Sequence, residues 1–420
     1  MKLYVFDDRL ADGWVPFSLT RPCGELRYGA WLLRERIERF AGATASGAVT
    51  RSWLGAFAER GGPPVVDSAG IADDDDRLFL GSRVVPGGTL EPPEGAATLW
   101  MDDEPVGCFI RAGQATPDRG WFESPTRLPS TTDLELSGEV VPTVWDLVSR
   151  NPRRLADDLQ RPGPDAGGAD PLAGFDGVHR IGDGPLRIEA GARIEPGVVF
   201  DLREGGIWLG EGVEVRAGAR LEGPLHASTG SRLLGGAISR LSAGPYSYVR
   251  GEIEETIVLG YANKAHEGFL GHAMLGRWVN LGAGTTNSDL KNNYGTVRVG
   301  PADRERDTGL RKFGCLIGDH AKTGIGTRLN TGTILGAGAN VFGSEMPPKW
   351  VEPFSWGSGP GRVEYRQDRF LALASTVHER RNVDFDDATG IWLSEAWEAG
   401  RTGRDVECWM AAVADEREER

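Results

Sequence analysis

The segment from Asn263 to Gly295 concentrates reactive and polar side chains. Its sequence, NKAHEGFLGHAMLGRWVNLGAGTTNSDLKNNYG, contains two of the six histidines, His266 and His272, and several asparagines. Histidine titrates near neutral pH, so it can accept a proton from an amine that attacks a thioester. Backbone N–H groups at glycine corners can stabilise the thioester oxygen as it becomes negative. The segment is therefore either the floor of an active site or a polar patch on a repetitive wall.

A six-residue period runs through the chain from about residue 186. An aliphatic residue opens nearly every hexad, and glycine often stands second or fourth, where a tight corner needs a permissive backbone. One hexad forms a flat face and three form a triangular coil, with the aliphatic residues stacked inside, so the period predicts a left-handed parallel β-helix. The hexads are IEAGAR (188–193), IEPGVV (194–199), LGEGVE (209–214), VRAGAR (215–220), LGRWVN (275–280), LGAGTT (281–286), IGDHAK (317–322), TGIGTR (323–328), LNTGTI (329–334) and LGAGAN (335–340).

The period breaks between residues 286 and 314. The sequence TNSDLKNNYGTVRVGPADRERDTGLRKFG cannot be divided into hexads. We therefore expect it to leave the wall as a long loop, and long loops on rigid scaffolds often carry function.

The sequence predicts four segments along the whole chain. Residues 1–142 form a shortened α/β domain, with strands at 2–6, 77–81, 97–101 and 107–113 and a helix over 27–41. Residues 143–180 form a helix beginning at Val144 and a Pro- and Gly-rich linker at 161–177. The β-helix occupies 181–345. Residues 346–420 form an extended arm and a helical tail that caps the β-helix or contacts another subunit.

Composition excludes several classes of protein. A formal net charge of -14 leaves no broad basic surface for nucleic acid. The four cysteines, Cys23, Cys108, Cys315 and Cys408, are too far apart for a CxxC zinc site and are expected as buried thiols. The N-terminus lacks the apolar run of a signal peptide, and no stretch approaches membrane-spanning length. We expect a soluble cytoplasmic protein.

The motifs KAHEGFLGH, VNLGAGT and NNYG on a hexapeptide wall resemble the acetyltransferase half of the bacterial bifunctional family that makes UDP-N-acetylglucosamine. The corresponding family text is Lys-Ala-Gly-His-Leu-Thr-Tyr-Leu-Gly-Asp, then Val-Asn-Ile-Gly-Ala-Gly-Thr, then Asn-Tyr-Asp-Gly. The likeness is closest over residues 240–342, and SDLKNNYG with the long loop resembles a divergent sugar nucleotidyltransferase branch. It implies acetyl-CoA-dependent N-acylation of a hexosamine phosphate or nucleotide sugar by a homotrimer.

The resemblance also implies roles for individual residues. His266 falls on the catalytic histidine of the family, and Phe269 replaces a tyrosine, so one hydroxyl contact to the sugar is lost. His272 replaces an aspartate and is interpreted as a wall residue. The predicted substrate-binding residues are Arg250 and Lys264 for the phosphate, Asn280 of the VNLGAGT motif, and Asn293 and Tyr294 at the sugar and acyl-donor site.

The first 142 residues depart further from the family. The resemblance implies a sugar-1-phosphate nucleotidyltransferase that uses Mg²⁺, with a Gly-x-Gly-Thr-Arg phosphate loop and a Gly-Asp-x-Pro-Leu metal aspartate. This chain has FDDRLADGWVPFSLTRPCG at the first position, and at the second it has LGSRVVP, with Ser82 and Arg83 in place of the acid. Arg21 and Arg27 remain candidates for nucleotide phosphates. No metal ligand is assigned, and nucleotidyl transfer stays open.

Two other functions stay open. A non-catalytic trimeric hexapeptide scaffold predicts no turnover with any acyl donor. A zinc-dependent hydratase of the γ carbonic anhydrase type binds its metal through three histidines, two of them five residues apart. His266 and His272 are six apart, which is a poor start for tetrahedral ligation.

Overall fold

The computed structural model describes residues 1–160 and 170–418 and divides into two compact units. The sheet unit comprises Met1–Leu26, Trp31–Val144 and the chain from Val383. The β-helix unit comprises Arg27–Ala30 and the described residues of Trp145–Asn382. These units cut the chain differently from the four predicted segments, and residues 161–169 of the predicted linker lie outside the described residues. The two units are described separately below.

The sheet unit contains a six-stranded mixed sheet with the order β2-β1-β3-β5-β4-β6. Strand β1 is parallel to both β2 and β3, β5 is antiparallel to β3 and β4, and β6 is parallel to β4. The predicted strands at 2–6, 77–81 and 97–101 are confirmed, whereas the one predicted at 107–113 begins and ends three residues earlier. The bounds are β1 Lys2–Phe6, β2 Ala45–Val49, β3 Arg77–Gly81, β4 Ala97–Met101, β5 Glu104–Ile110 and β6 Thr132–Glu135.

Helices of the sheet unit cover its strands. The helix predicted over 27–41 begins only at Leu33, because Arg27–Tyr28 and Trp31–Leu32 are short extended strands on either side of Gly29, which has a φ of 66°. Leu33 and Ile37 are buried at helical spacing. The helices assigned to this unit are α1 Arg9–Asp12, α2 Leu33–Ala41, α3 Arg119–Glu123, α6 Asp387–Arg401 and α7 Arg404–Glu418.

The β-helix unit has three sheets, one for each face, which confirms the predicted parallel β-helix. The strands within each sheet are parallel except for Val363–Glu364, which pairs antiparallel with Ser355–Trp356. The first face contains His179–Ile181, Val199–Asp201, Ala219–Glu222, Gly236–Ser239, Glu252–Glu254 and Phe269–Gly271, with Thr286–Asn287 and Arg328–Leu329 as a separate pair. The second face contains Leu186–Ile188, Ile207–Leu209, Leu225–Ala227, Ser242–Ala243, Ile257–Val258, Met274–Leu275, Cys315–Ile317, Thr333–Leu335 and Trp350–Val351. The third face contains Arg193–Ile194, Glu214–Val215, Arg232–Leu233, Tyr248–Val249, Asn263–Lys264, Asn280–Leu281, Lys322–Thr323, Asn340–Val341, Ser355–Trp356 and Val363–Glu364.

The residues that open the hexads point into the β-helix. Leu209, Val215, Leu275, Ile317 and Leu335 are fully buried members of one continuous apolar core. Burial of such side chains is worth about 1.5–3 kcal/mol each. The six-residue period therefore reflects the inward stacking that holds the coils together.

The predicted loop begins slightly later than expected. Thr286–Asn287 still pairs with Arg328–Leu329, so the chain leaves the wall after Asn287 and rejoins it at Cys315. The insertion is ordered, since it contains an antiparallel hairpin of Arg298–Val299 with Arg306–Asp307 and since Val299 is fully buried.

Among the described residues, two α-helices belong to the β-helix unit: α4, at Val144–Leu159, whose first residue is assigned to the sheet unit, and α5, at Gln367–Glu379. Helix α4 begins at the predicted residue. Helix α5 packs on the corner between the second and third faces, where His378 stacks on Trp278 with ring centroids 3.9 Å apart. None of the described helices combines the length and apolar composition needed to cross a bilayer.

Candidate functional site

His266 lies in the turn that joins the third-face strand Asn263–Lys264 to the first-face strand Phe269–Gly271. Its side chain is exposed, and within the described part of the chain its imidazole makes no hydrogen bond. Gly268 makes the turn possible: its φ is 130°, and a Cβ there would lie 2.2 Å from the carbonyl oxygen of Thr285. The histidine is thus presented to solvent by a rigid glycine corner.

Lys264 occupies an inward position of the third face, in register with Val249. Its side chain is almost fully buried, and its Nζ donates to the carbonyl oxygens of Arg250, at 3.0 Å, and of His266. Burial lowers the pKa of Lys264 to about 8, although Glu267 opposes the shift. The ammonium group therefore links two neighbouring corners of the β-helix. Because it is buried and engaged there, this placement argues against the predicted contact of Lys264 with a substrate phosphate.

Arg250 lies on the same corner as His266, one coil earlier, as their shared contact with Lys264 shows. Its guanidinium is about half exposed and donates from Nε to Glu267 Oε1 at 2.7 Å. An ion pair at this exposure is worth about 0–1 kcal/mol, so a phosphate could displace it. Arg250 and His266 are the two predicted residues that the structure brings together with accessible functional groups.

Asn280 lies on the outer side of the third face, in register with Asn263. Asn263 donates to Asn280 Oδ1 at 3.3 Å and accepts a 2.8 Å hydrogen bond from Arg381, which follows helix α5. Arg381 also stacks on Tyr248, with Cζ 3.8 Å from the ring centroid. Sequence reasoning missed Arg381, because a contact between the residues after α5 and the third face leaves no local pattern.

Asn293 and Tyr294 lie in an exposed turn of the insertion, before its hairpin. Asn293 accepts a hydrogen bond from Gly295 N at 3.1 Å, and Tyr294 is 67% exposed with a φ of 56°. Among the described contacts, none joins either residue to His266. The fold of one chain therefore does not bring the NNYG motif to the histidine corner.

His272 lies at the other end of the strand Phe269–Gly271 and is held between two carboxylates. Its Nδ1 is 2.8 Å from Asp289 Oδ2, and its Nε2 is 3.1 Å from Glu255 Oε2. Burial by itself would lower the pKa of His272, but these two hydrogen bonds raise it to about 9. The ring is therefore an imidazolium at neutral pH and cannot act as a base.

The His272 cluster also bears on metal binding. Ligand atoms of Glu254, Glu255 and His272 lie within 4.8 Å of one another. Lys312 and Arg240 approach Glu254 to 3.6 and 3.8 Å, so the carboxylates already face cations. Since His272 points both nitrogens at carboxylates and lies across the strand from His266, the structure does not assemble the histidine set of a zinc hydratase. The one-coil spacing between Glu255 and His272 could have revealed their contact in the sequence.

His320 lies in a stack of rings rather than on an open surface. It is almost fully buried, 5.7 Å from both the His378 and Phe370 rings of α5. Tyr261 and Trp278 continue the stack at 4.4 Å along the same corner. This environment gives His320 a packing role.

The sheet unit has a buried polar cluster at the carboxyl ends of its parallel strands. Asp7, which follows β1, accepts hydrogen bonds from Ser82 Oγ at 2.6 Å and Thr50 Oγ1 at 2.5 Å and pairs with Arg51 at 3.0 Å. Asp8 accepts hydrogen bonds from Arg83 Nε at 2.8 Å and from Ala11 N at 2.8 Å. Ser82 and Arg83 stand where the family has its metal aspartate, and here they hydrogen-bond to Asp7 and Asp8.

The hydrogen-bond donors to Asp7 and Asp8 determine whether these carboxylates can bind Mg²⁺. Each oxygen of Asp7 and Asp8 already accepts a hydrogen bond from a protein donor, and Mg²⁺ requires carboxylate oxygens that are open to it. The residues present do not fit a magnesium ion in this arrangement.

The two arginines predicted for nucleotide phosphates are also engaged. Arg21 is buried and donates to Glu59. Arg27 is buried in the β-helix unit, where it donates to the carbonyl oxygen of Ala30 at 2.5 Å. The two residues therefore belong to different units and do not form a common phosphate cradle within either.

Comparison with known proteins supports the resemblance. The family model described as sugar nucleotidyl transferase matches residues 3–162. A bifunctional sugar-1-phosphate nucleotidylyltransferase/acetyltransferase of Sulfurisphaera tokodaii is 30% identical over 91 residues, which are 22% of this chain and 23% of that protein. The bifunctional protein GlmU of Acaryochloris marina is 29% identical over 189 residues, covering 42% of this chain and 34% of that protein.

The likeness to these proteins is partial. GlmU of Syntrophomonas wolfei is 28% identical over 170 residues, and the chain spans about a quarter to a third of the length of these three curated relatives. A solved structure of a Bacillus cereus protein described as an acetyltransferase covers 52% of this chain at 12% identity, but its TM-score of 0.18 adds nothing to the fold assignment. The predicted resemblance to the bifunctional family is confirmed, at low identity.

Proposed function

From the premise that residues 3–162 carry a sugar nucleotidyl transferase domain, we propose that this chain is a transferase of sugar-nucleotide biosynthesis. Its β-helix transfers an acetyl group from acetyl-CoA to the amine of a hexosamine phosphate or nucleotide sugar. The observation that supports this proposal is the exposed His266 on the same corner as Arg250. The resemblance of KAHEGFLGH to the acetyltransferase motif supplies the substrate class.

His266 is the general base of the proposed reaction. The amine nitrogen of the sugar attacks the thioester carbon while the imidazole accepts its proton. The carbon–sulfur bond then breaks, and the imidazolium returns the proton to the leaving thiolate. Arg250 holds the phosphate after exchanging its exposed contact with Glu267. Lys264 keeps the two corners in register through their carbonyl groups.

Thiol release from acetyl-CoA with glucosamine 1-phosphate tests this function. We expect His266→Ala to lower kcat by about 10²–10⁴-fold, the range typical of a lost general base, without changing the fold. His179→Ala is the matched control, because His179 is also an exposed histidine of the β-helix unit. Equal rates for wild type and His266→Ala would remove His266 from the mechanism. No release by any form would favour the scaffold function.

A second candidate activity is the transfer of a nucleotidyl group to a sugar 1-phosphate. The match of the sugar nucleotidyl transferase model to residues 3–162 favours it, whereas the engaged carboxylates Asp7 and Asp8 oppose it. Pyrophosphate release from UTP or dTTP with a sugar 1-phosphate, with and without magnesium, measures this activity separately. Zinc analysis of the purified protein tests the hydratase alternative, for which we expect no stoichiometric metal.

A further inference from the structure

The topology of the six-stranded sheet indicates where a ligand would bind. In open α/β sheets, ligands bind beyond the carboxyl ends of the parallel strands, where the strand order reverses. Here the order reverses at β1, which pairs in parallel with β2 on one side and with β3 on the other. The residues that follow these three strands therefore mark the binding position.

Those residues are buried rather than open to solvent. Asp7, Arg51 and Ser82 are each less than a tenth exposed, and each hydrogen-bonds or pairs with another member of the cluster. Arg51 also pairs with Asp12 of helix α1 and donates to the carbonyl oxygen of Arg21 at 2.9 Å. The guanidinium groups that could bind a phosphate are present, but they face the carboxylates of the chain itself.

Two C-terminal helices cover this position. Helix α7 packs against α1, and the approach is so close that a Cβ on Gly13 would lie 2.4 Å from Cβ of Ala412. Helix α6 is anchored by Trp392, whose Nε1 donates to the carbonyl oxygen of Thr20 at 2.7 Å and whose ring meets Phe57 edge to face at 4.9 Å. Both helices thus contact the segments that follow β1 and β2.

The cover can move without dismantling the sheet. The six-stranded sheet is complete without α6 and α7, because its last strand in the sequence ends at Glu135. Local opening of one helical segment costs less than global unfolding. Burial raises the pKa of Asp12 under α7 to about 7, even though Arg51 opposes the shift, so the covered cluster retains an uncompensated desolvation cost.

We propose that helices α6 and α7 are a displaceable cover that occupies the nucleoside triphosphate crevice of the sheet unit and holds it closed. The ligand class rests on the proposed nucleotidyl transfer function of residues 3–162. A nucleotide then binds only the fraction of molecules in which the cover is open, and its apparent dissociation constant is raised by that fraction.

The test compares full-length variants that loosen the cover. Trp392→Ala removes the α6 anchor. Gly13→Ala places a methyl group against α7, at a backbone φ of -75° that alanine adopts without strain. Ile391→Ala is the matched control, because Ile391 lies beside Trp392 on α6 but is 53% exposed. Amide hydrogen exchange over residues 387–412 reports cover opening. Calorimetric titration with UTP and dTTP, with and without magnesium, reports nucleotide affinity.

We expect faster exchange over these helices and at least tenfold tighter nucleotide binding in Trp392→Ala and Gly13→Ala, with Ile391→Ala unchanged. Nucleotide added to wild type should speed exchange over the same helices. Equal affinity in all forms, with no nucleotide-dependent exchange, would overturn the cover while leaving nucleotide binding intact. Open helices without any nucleotide binding would overturn the cover and the nucleotidyl role together. Neither result bears on thiol release at His266, and Gly13→Ala keeps the test decisive if Trp392→Ala fails to fold.

Discussion

At the scale of single residues, two histidines six positions apart have opposite environments. His266 is exposed at a glycine corner, whereas His272 is buried between Asp289 and Glu255. An exposed imidazole is accessible to a substrate, but an imidazolium held by two carboxylates stabilises the fold. The strand between them directs one histidine to solvent and the other into an ion cluster.

The pKa of His272 predicts a loss of stability at alkaline pH. Its folded-state pKa of about 9 lies above the unfolded value of 6.5, so its contribution is complete below about pH 6.5 and disappears as pH rises through 9. We expect the stability that wild type holds over His272→Gln to fall by on the order of 2–3 kcal/mol between pH 6 and pH 10, measured by urea unfolding. The two forms are compared because the lowered pKa of the buried Lys264 changes the stability of both in the opposite direction.

The matched variant of the exposed His179, His179→Gln, should show no pH-dependent difference from wild type. A difference between wild type and His272→Gln that stays constant over this pH range would show that His272 is not charged in the folded protein.

Lys264 gives a prediction that separates positioning from phosphate binding. Lys264→Met keeps an unbranched side chain in the β-helix core but removes both hydrogen bonds to the corner carbonyls of Arg250 and His266. We expect kcat for thiol release to fall about tenfold or more, because a misplaced base costs rate, while the KM for the sugar phosphate stays within twofold.

The control for Lys264→Met is Arg250→Met, which should instead raise the KM for the sugar phosphate. A raised KM with unchanged kcat in Lys264→Met would restore the direct phosphate contact that the resemblance implies.

At the scale of elements, the insertion at 288–314 is attached to the wall through Asn287. Its buried side chain accepts a hydrogen bond from Gly271 N at 2.9 Å and donates one to Gly271 O at 3.0 Å. These two bonds take the place of strand pairing at Gly271, where the first-face sheet is interrupted. The sequence revealed the insertion as a break in the period. It did not reveal this attachment, because one asparagine among several carries no distinguishing pattern.

Removal of the Asn287 amide should loosen the insertion. Asn287→Ala leaves the buried N–H and C=O of Gly271 without partners, at a cost of about 1–3 kcal/mol per group. We expect a lower urea midpoint and faster amide exchange at Gly271 and through the insertion. Ser288→Ala, at the exposed neighbouring residue, should change neither measurement. Unchanged exchange in Asn287→Ala would mean that the hairpin contacts of the insertion hold it without this anchor.

At the scale of the whole molecule, the predicted homotrimer is the arrangement that could unite the NNYG loop with the histidine corner. Backbone hydrogen bonds from Gly284 N to Glu267 O and from Gly326 N to Ala283 O align the His266 corner with Ile325, which is 85% exposed. An exposed isoleucine on this row suits a contact with a second copy of the chain.

Light scattering should give three times the chain mass of 45.3 kDa. Ile325→Asp should shift the mass towards that of the monomer and lower thiol release, whereas Ile391→Asp, at an exposed isoleucine of the sheet unit, should not. A wild-type protein that is monomeric and active would contradict the trimer.

The sequence by itself determined the parallel β-helix, since a six-residue period can be satisfied only by coils that stack their aliphatic positions inside. It also located the insertion, because a break in the period is a local feature. Tertiary structure alone decided that Lys264 points inward, that His272 lies between carboxylates, and that α6 and α7 pack on the segments that follow β1 and β2. These outcomes depend on contacts between residues far apart in the chain. For Lys264 and His272, burial and pairing in the folded chain determine the role of the side chain, which residue type alone does not predict.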